Sequence, residues 1–228
     1  KSGLTPLFFA VVAGRKDIVA ALLERHADLH AVCKIDIPRF SVLKGGTILA
    51  MACESTDDAE LVQMLIQHGA DPTTPANAAF ADSCLSMALG LTNLKVAKFL
   101  IEHDRTLLDQ RNNMNCLSVV NMFMMGKLES ARFIKEHCPE ALVKLVQEPA
   151  EQWGQSVIAS AISNNAGNLE VLKMLLDAGI STELSGKAHG KMGMLIHFCD
   201  FARRFNKLQI GGMVMVMAYT TRVPPLCA

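Results

Sequence analysis

The sequence predicts an all-α solenoid of stacked helix-turn-helix units with hairpin-like loops. Three recurring features predict this fold class: a pair of short apolar segments, a small polar or hydroxyl residue before the first segment, and a polar turn after the second. Such self-similarity is typical of arrays in which each unit contacts only its neighbours. A chain of 228 residues is long enough for several units.

The first unit shows the pattern most clearly. Thr5 can cap a first helix, and Pro6 follows at the first helical turn, where its missing N–H costs nothing. Gly14 is expected to end that helix. Apolar residues at helical spacing then predict a second helix with one apolar face, namely Ile18, Val19, Leu22 and Leu23.

Four further units follow the same order. Their first helices are expected to open near Thr47, Ser83, Cys116 and Ser156, and their second helices to close near His68, His103, His137 and Gly179. The hydroxyl of Ser156 is expected to act as a helix cap. Cys84 and Cys116 recur at an equivalent position, which favours small buried apolar side chains. The paired apolar endings predict burial between helices for Leu65, Leu100 and Leu176.

Two stretches carry a family resemblance. Residues 5–10, Thr-Pro-Leu-Phe-Phe-Ala, and residues 65–71, Leu-Ile-Gln-His-Gly-Ala-Asp, resemble the ankyrin repeat signature. The resemblance covers about residues 3–180 as five divergent repeats and implies an ankyrin-repeat solenoid. Phe8 stands where the family has His. The family's Pro is replaced at three later openings, by Ile48, Cys84 and Val157.

The resemblance also predicts how the chain divides. Repeats are expected at 1–30, 47–75, 76–110, 111–138 and 154–185. Between them we expect a long hairpin insert at 31–46 and a second insert, with a short extra helix, at 139–153. A degenerate repeat or cap is expected at 186–209, followed by an apolar tail of unclear role at 210–228. Since the first repeat opens at Gly3, more protein is expected upstream of Lys1.

Ankyrin arrays resemble one another as scaffolds, so the resemblance implies a protein partner held by the loop tips and by the first helices along a concave face. The candidate contact residues are Asp28, His30, Lys34, Arg39, Phe40, Asp71, Thr73, Asn77, Asp104, Arg105, Asn112, Ser181, Glu183 and His189. Arg39 and Phe40 are notable because exposed Arg and aromatic side chains dominate binding hot spots. The alternative for Phe40 is packing onto the repeat below.

Composition argues against several other ligands. The 22 Lys+Arg balance the 22 Asp+Glu, which disfavours nucleic acid or an anionic membrane as the main ligand. No run of about 18 uninterrupted apolar residues occurs, so membrane insertion is not expected. The seven Cys are odd in number and include no C-x-x-C pair, which predicts reduced thiols and an intracellular, cytoplasmic setting.

Histidines at one recurring position could suggest a metal ladder; they are His26, His68, His103 and His137. Packed helices lie about 8–10 Å apart, whereas zinc ligands lie about 2 Å from the ion. Neighbouring repeats therefore cannot easily share an ion through this position. We expect the imidazoles to meet free carbonyls at helix ends, and we expect no metal and no cofactor.

No catalytic motif is complete. Residues 154–158, Gly-Gln-Ser-Val-Ile, lack the closing Gly of a nucleophile elbow, and residues 186–192 offer Met192 where a phosphate loop needs Ser or Thr. The predicted function is therefore a non-enzymatic interaction scaffold or adaptor. The alternative is a regulatory or targeting segment of a larger enzyme, such as a kinase, ligase or transferase, with its catalytic domain outside this chain.

Overall fold

The computed structural model describes residues 3–35, 44–78, 80–113, 115–147 and 169–179. Its helices are α1 (Pro6–Val12), α2 (Lys16–Glu24), α3 (Ile48–Ser55), α4 (Ala59–Gln67), α5 (Cys84–Leu91), α6 (Leu94–His103), α7 (Val120–Met124), α8 (Leu128–His137), α9 (Pro139–Gln147) and α10 (Leu169–Asp177). A 3-10 helix follows α6 at Arg105–Asp109. The predicted all-α class is confirmed. In the described ranges, two isolated antiparallel β-bridges join Val32 to Thr47 and Arg111 to Leu117.

The chain separates into two compact units, Lys1–Met122 and Phe123–Ala228. In the first unit, α3 packs between α1 and α5, and α4 packs against α6. In the second unit, α8 packs against α9 and α10. No helix in the described part of the chain is long and apolar enough to cross a membrane.

Hydroxyl caps begin the first helices of the first three repeats. Thr5 accepts a hydrogen bond from the backbone N–H three residues later at 3.4 Å, as predicted. Thr47 and Ser83 accept the equivalent bonds at 3.1 and 2.9 Å. Each bond satisfies one of the N–H groups that a helix start leaves unpaired, which is worth about 1 kcal/mol.

In the first unit, the leucines predicted to lie between helices are buried. We call this buried contact between helices the seam. Leu65 of α4 and Leu100 of α6 are both fully buried, which confirms the prediction from the paired endings. Burying a leucine side chain contributes roughly 1.5–3 kcal/mol. The side chain of Leu176 lies outside the described residues, as do the predicted cap Ser156 and every prediction for 180–228.

A left-handed residue lies in the turn between the two helices in repeats 1 and 3. Gly14 takes this conformation between α1 and α2 with φ of 64°, as its role in ending the helix requires. Thr92 occupies the same place between α5 and α6 with φ of 67°. A β-branched residue is strained in this region, so Thr92 holds a turn that glycine would form at less cost.

The first helix of the fourth repeat begins later in the sequence than predicted. It begins at Val120 and not near Cys116, because a bridge between Arg111 and Leu117 keeps the preceding residues in a hairpin. The Cys116 N–H also donates to Oδ1 of Asn112 at 3.0 Å. Cys84 is buried as predicted, but Cys116 is only half-buried, so the predicted burial of Cys116 is wrong.

The short helix expected in the second insert is α9, with Ala141, Leu142 and Leu145 buried. Ion pairs on the surface of the second unit join α8 to α10. Arg132 contacts Glu170 at 2.6 Å and Glu129 at 2.8 Å. These groups are exposed, so solvent and salt screen their attraction.

Candidate functional site in the loop tips

The loops that follow the second helices of the first unit lie side by side. We call them tip 1 (28–35 with 44–46), tip 2 (71–78 with 80–82) and tip 3 (104–113 with 115–118), and together the tip row. They contain all nine of the predicted contact residues that the structure describes. Their geometry follows from local turns and from hydrogen bonds between neighbouring tips.

Each tip begins with an aspartate that folds the chain back on itself. The carboxylates of Asp28, Asp71 and Asp104 accept a hydrogen bond from the backbone N–H two residues later at 3.0, 2.8 and 2.9 Å. This is the side-chain turn that makes Asp common in loops. All three were predicted as partner contacts, and the structure gives them a role in forming the turns.

Threonine hydroxyls reinforce two of these turns. Thr73 and Thr106 donate to Asp71 and Asp104 at 2.7 Å. The hydroxyl and backbone hydrogen bonds hold the pKa of both aspartates below the usual range, because they favour the ionised form. Both tips therefore carry a fixed negative charge at neutral pH.

Backbone hydrogen bonds close tip 1 and join it to tip 2. The Cys33 N–H donates to the Gly46 carbonyl at 2.9 Å, and the Gly45 N–H donates back to Cys33 at 2.7 Å. The Ala78 N–H of tip 2 donates to the Lys44 carbonyl at 2.9 Å. Gly45 has φ of 84°, and a Cβ there would lie 2.7 Å from the Ala78 nitrogen, so only glycine permits this close approach.

Further bonds join tip 2 to tip 3. The Asn113 N–H donates to the Phe80 carbonyl at 2.8 Å, and the Asn112 side-chain amide donates to Asp82 at 3.0 Å. The Gln110 side chain donates to the Thr73 carbonyl. The three tips are therefore linked by hydrogen bonds across gaps of 30 residues or more in sequence.

Asn77 does not fit its predicted role. Its side chain is only 4% exposed, so it is not available to a partner. Its amide donates to Asp82 at 3.3 Å, and its carbonyl oxygen accepts from the Phe80 N–H at 2.8 Å. Asn77 thus braces tip 2 from inside, since a buried polar group needs hydrogen-bonding partners.

The other predicted contact residues divide by exposure. Exposed residues are Asp28, His30, Lys34, Asp71, Thr73 and Arg105, and half-buried residues are Asp104 and Asn112. Outside the described residues are Arg39, Phe40, Ser181, Glu183 and His189. The exposed candidates lie on all three tips, whereas those in the last predicted tip remain predictions.

Sequence reasoning missed the exposed apolar side chains of the row. Val32 and Ile35 of tip 1 and Phe80 of tip 2 are between 41% and 50% exposed. A signal for Phe80 was present, because an aromatic residue among small and polar loop residues has no helix face on which to be buried. The row therefore presents apolar groups among charged and polar ones.

Two of the recurring histidines contact carbonyl groups of their own helices. Nδ1 of His68 lies 2.8 Å from the Met64 carbonyl, and Nδ1 of His137 lies 3.0 Å from the Phe133 carbonyl. The predicted interaction with helix-end carbonyls is confirmed at these two positions. Groups of three or more His, Cys, Asp or Glu that could hold a metal ion do not occur among the described residues.

Comparison with known proteins agrees with this architecture. Residues 2–34 and 44–77 match the ankyrin repeat family. A chain from the complex of the Bd0816 predatory endopeptidase of Bdellovibrio bacteriovorus with the immunity protein Bd3460 is 20% identical, with 78% of this chain and 82% of that chain covered and a TM-score of 0.58. The ankyrin repeat domain of Bcl-3, a member of the IkappaB family, is 19% identical, with 90% and 87% covered and a TM-score of 0.58. No curated protein matches the sequence.

Proposed function

We propose that this chain, whose residues 2–34 and 44–77 are ankyrin repeats, is a scaffold that binds a protein partner through the tip row. The observation that carries the proposal is the set of hydrogen bonds between the tips. These bonds hold three loops in one arrangement before any partner arrives. A surface that is already ordered loses less conformational entropy on binding.

The chemistry of the row suits a protein surface. Stable interfaces combine a few apolar anchors with a polar rim. Here Val32, Ile35 and Phe80 supply exposed apolar area. His30 and Lys34 supply polar groups close in sequence to Val32 and Ile35. The formal net charge of zero gives no electrostatic preference for nucleic acid over protein.

The first helices offer less area for contact. In α3, only Ser55 is exposed, and in α5 the least buried side chains, such as Met87 and Leu91, are half-buried. The sequence predicts contacts along both the tips and the first helices. The burial of α3 and α5 favours the tips as the main surface.

Two further observations support the proposal. Ankyrin repeats are generally protein interaction modules, and one of the similar chains belongs to a complex of two proteins. Disulfide bonds do not occur among the described cysteines Cys33, Cys53, Cys84, Cys116 and Cys138, which fits a reducing, intracellular compartment.

Photo-crosslinking can locate the binding surface before the partner is identified. A photoreactive phenylalanine analogue is placed at Ile35 or Phe80 in the tip row and, as matched controls, at the exposed Gln63 or Lys98 on the second helices. All four variants are exposed to the same cell extract. We expect one shared partner to crosslink from the tip positions and not from the controls.

Affinity measurements then follow with the identified partner. Phe80→Ala is expected to weaken binding at least about 10-fold, because truncating a hot-spot residue costs about 2 kcal/mol or more and about 1.4 kcal/mol is a tenfold change in the dissociation constant. Gln63→Ala is expected to leave the dissociation constant unchanged. A partner that crosslinks only from Gln63 and Lys98, and whose affinity is the same for Phe80→Ala, would overturn the proposal.

A further inference from the structure

The chain contains two Thr-Pro pairs, which lie in different settings. In the first pair, Thr5 is half-buried and caps α1, and Pro6 is the first residue of that helix. The second pair, Thr74 and Pro75, lies in tip 2, where neither residue belongs to a helix and both are exposed. A hydroxyl directly before an exposed Pro is the acceptor that proline-directed protein kinases use. The start of a helix explains the first pair and leaves the second unexplained.

Thr74 closes the turn that begins tip 2. Its backbone N–H donates to the Asp71 carbonyl at 3.2 Å, and its hydroxyl donates to the Asp71 carboxylate. The N–H and hydroxyl of Thr73 donate to the same carboxylate at 2.8 and 2.7 Å. The turn is therefore built around one negative charge. A second negative charge on Thr74 would remove one of its donors and repel Asp71.

The same turn carries a link from tip 2 to tip 3. The side-chain amide of Gln110 donates to the carbonyl of Thr73, the residue before Thr74. The backbone carbonyl of Gln110 in turn accepts a hydrogen bond from the Ser118 N–H at 3.1 Å, within tip 3. A change in the turn from Asp71 to Thr74 therefore acts on both tips.

Tip 2 must open before a kinase can use Thr74. Pro72 and Ala76 on either side are buried, and the Ala76 N–H donates to the Asp82 carbonyl at 2.6 Å. The acceptor hydroxyl has to align with the γ-phosphate of ATP inside the kinase, so these neighbours must first leave their places. The closed tip and the modified tip are thus alternative states. A partner that holds tip 2 closed protects Thr74, and a phosphate on Thr74 disfavours that partner.

We infer that Thr74 is a phosphorylation site for a proline-directed Ser/Thr protein kinase, and that the phosphate opens tip 2 and breaks its link to tip 3. In the transfer, Oγ1 of Thr74 bonds to the γ-phosphorus of ATP while the bond from that phosphorus to the bridging oxygen breaks. ADP leaves with the electron pair, and the hydroxyl proton passes to a carboxylate of the kinase. The phosphate adds a charge of about −1.5 to −2 beside Asp71. The effect on binding rests on the proposed function, whereas the modification itself does not.

Kinase treatment of the full chain tests the site without any partner. We expect a proline-directed kinase with Mg²⁺ and ATP to add one phosphate per chain, which mass spectrometry of proteolytic fragments locates at Thr74. Thr5 is the internal control and should stay unmodified, because its hydroxyl caps α1. Pro75→Ala should lower the kinase's kcat/KM at least about 10-fold. Thr74→Val should abolish the modification, and Thr74→Ser should retain it.

A synthetic peptide of residues 68–82 shows whether the same kinase accepts this sequence outside the fold. We expect the peptide to be modified faster than the chain, since tip 2 must open. The inference is overturned if the kinase modifies the peptide and not the chain, or if it modifies neither. Modification of the chain at Thr5 in preference to Thr74 would also overturn it.

Hydrogen–deuterium exchange measures whether the phosphate opens the tip. The amides of Thr74, Ala76 and Ser118 should exchange at least about 10-fold faster in the phosphorylated chain, because their carbonyl partners are then lost. Amides in α4 should exchange as before. Equal exchange of the three tip amides before and after phosphorylation would contradict the opening.

The effect on binding is measured with the partner that crosslinks from Ile35 or Phe80. Phosphorylation should raise its dissociation constant at least about 10-fold. Kinase treatment of Thr74→Val should leave that variant's own dissociation constant unchanged. If phosphorylation of Thr74 does not change the dissociation constant, this regulation is wrong while binding at the tip row stands. A partner that crosslinks only from Gln63 and Lys98 would instead overturn the proposed function, and the kinase and exchange results would still decide the site.

Discussion

The first helices and the tip row of the first unit are held by different forces. In α3, the six residues from Ile48 to Cys53 are buried, so the helix is fixed by apolar packing on both sides. Each tip buries some apolar residues, such as Leu29, Pro72 and Leu107, but neighbouring tips are joined to each other by hydrogen bonds such as that from Asn113 to Phe80. Packing sets the stability of the array, while the tips can change their exposed side chains with little effect on folding.

A second polar network lies at the opposite ends of the first helices. Asp57, between α3 and α4, accepts hydrogen bonds from the Lys95 and Val96 N–H groups at 2.7 and 3.3 Å and so caps the α6 helix of the next repeat. Asn93 of that repeat donates back to the Cys53 and Glu54 carbonyls at 2.8 and 3.1 Å. The two repeats thus cap each other's helices. This network, unlike the tips, directly supports helix ends.

The largest expected effect comes from the packed seam. Leu65→Ala and Leu100→Ala should each lower the free energy of unfolding by about 2–5 kcal/mol, because both leucines are fully buried and truncation leaves a cavity. Urea unfolding followed by circular dichroism measures the loss. Gln63→Ala, on the exposed side of the same helix as Leu65, should change it by less than about 0.5 kcal/mol. Losses below about 1 kcal/mol for both leucine variants would contradict the assigned seam.

The reciprocal caps should give the next largest effect. Asp57→Ala and Asn93→Ala should each cost about 1–2 kcal/mol, since each leaves helix-end groups without a partner. In a double-mutant cycle the two losses should be partly non-additive, because both residues join the same pair of repeats. If both single losses are near zero and the double loss equals their sum, the caps contribute nothing to coupling between repeats 2 and 3.

Glu54 makes stability depend on pH. Burial near the end of α3 raises the pKa of its carboxyl from 4.5 to about 7. The folded chain therefore binds this proton more tightly than the unfolded chain, so stability falls as the pH rises from about 4.5 through 7. Glu54→Gln should have little effect at pH 4 and raise stability by about 1 kcal/mol at pH 8, after allowance for the solvent that still reaches the group. Unfolding curves at both pH values give the comparison, and an equal effect at pH 4 and pH 8 would contradict it.

The strained turn before α6 should give the smallest effect on stability. Thr92→Gly removes a side chain from a left-handed residue and should raise the free energy of unfolding by about 0.5 kcal/mol. Relief of backbone strain stabilises the folded chain, whereas the greater flexibility of glycine in the unfolded chain offsets part of that gain. Thr56→Gly provides the contrast, because Thr56 is extended and gains no relief. Thermal unfolding of both variants measures the difference. A loss of stability in Thr92→Gly as large as that in Thr56→Gly would contradict the assigned strain.

Local sequence signals were sufficient for the helices and insufficient for the tips. Thr5 as a cap and Leu65 as a buried residue follow from spacing of a few residues, so they could be predicted. The bond from Asn112 to Asp82 joins residues 30 apart and depends on how repeats stack, which no local pattern specifies. Asn77 was misassigned for the same reason, because Asn is usually an exposed turn residue and only the packed tip shows that it is buried.

Hydrogen–deuterium exchange with and without the identified partner tests the division between scaffold and tips most directly. We expect the partner to slow exchange in tips 1–3, including the amides of residues 30–35, 80–82 and 105–113, and to change the amides in α4 and α6 little. The same comparison with Phe80→Ala should show weaker protection of the tips at equal partner concentration. Protection confined to α2, α4 and α6, with the tips unchanged, would contradict binding through the tip row.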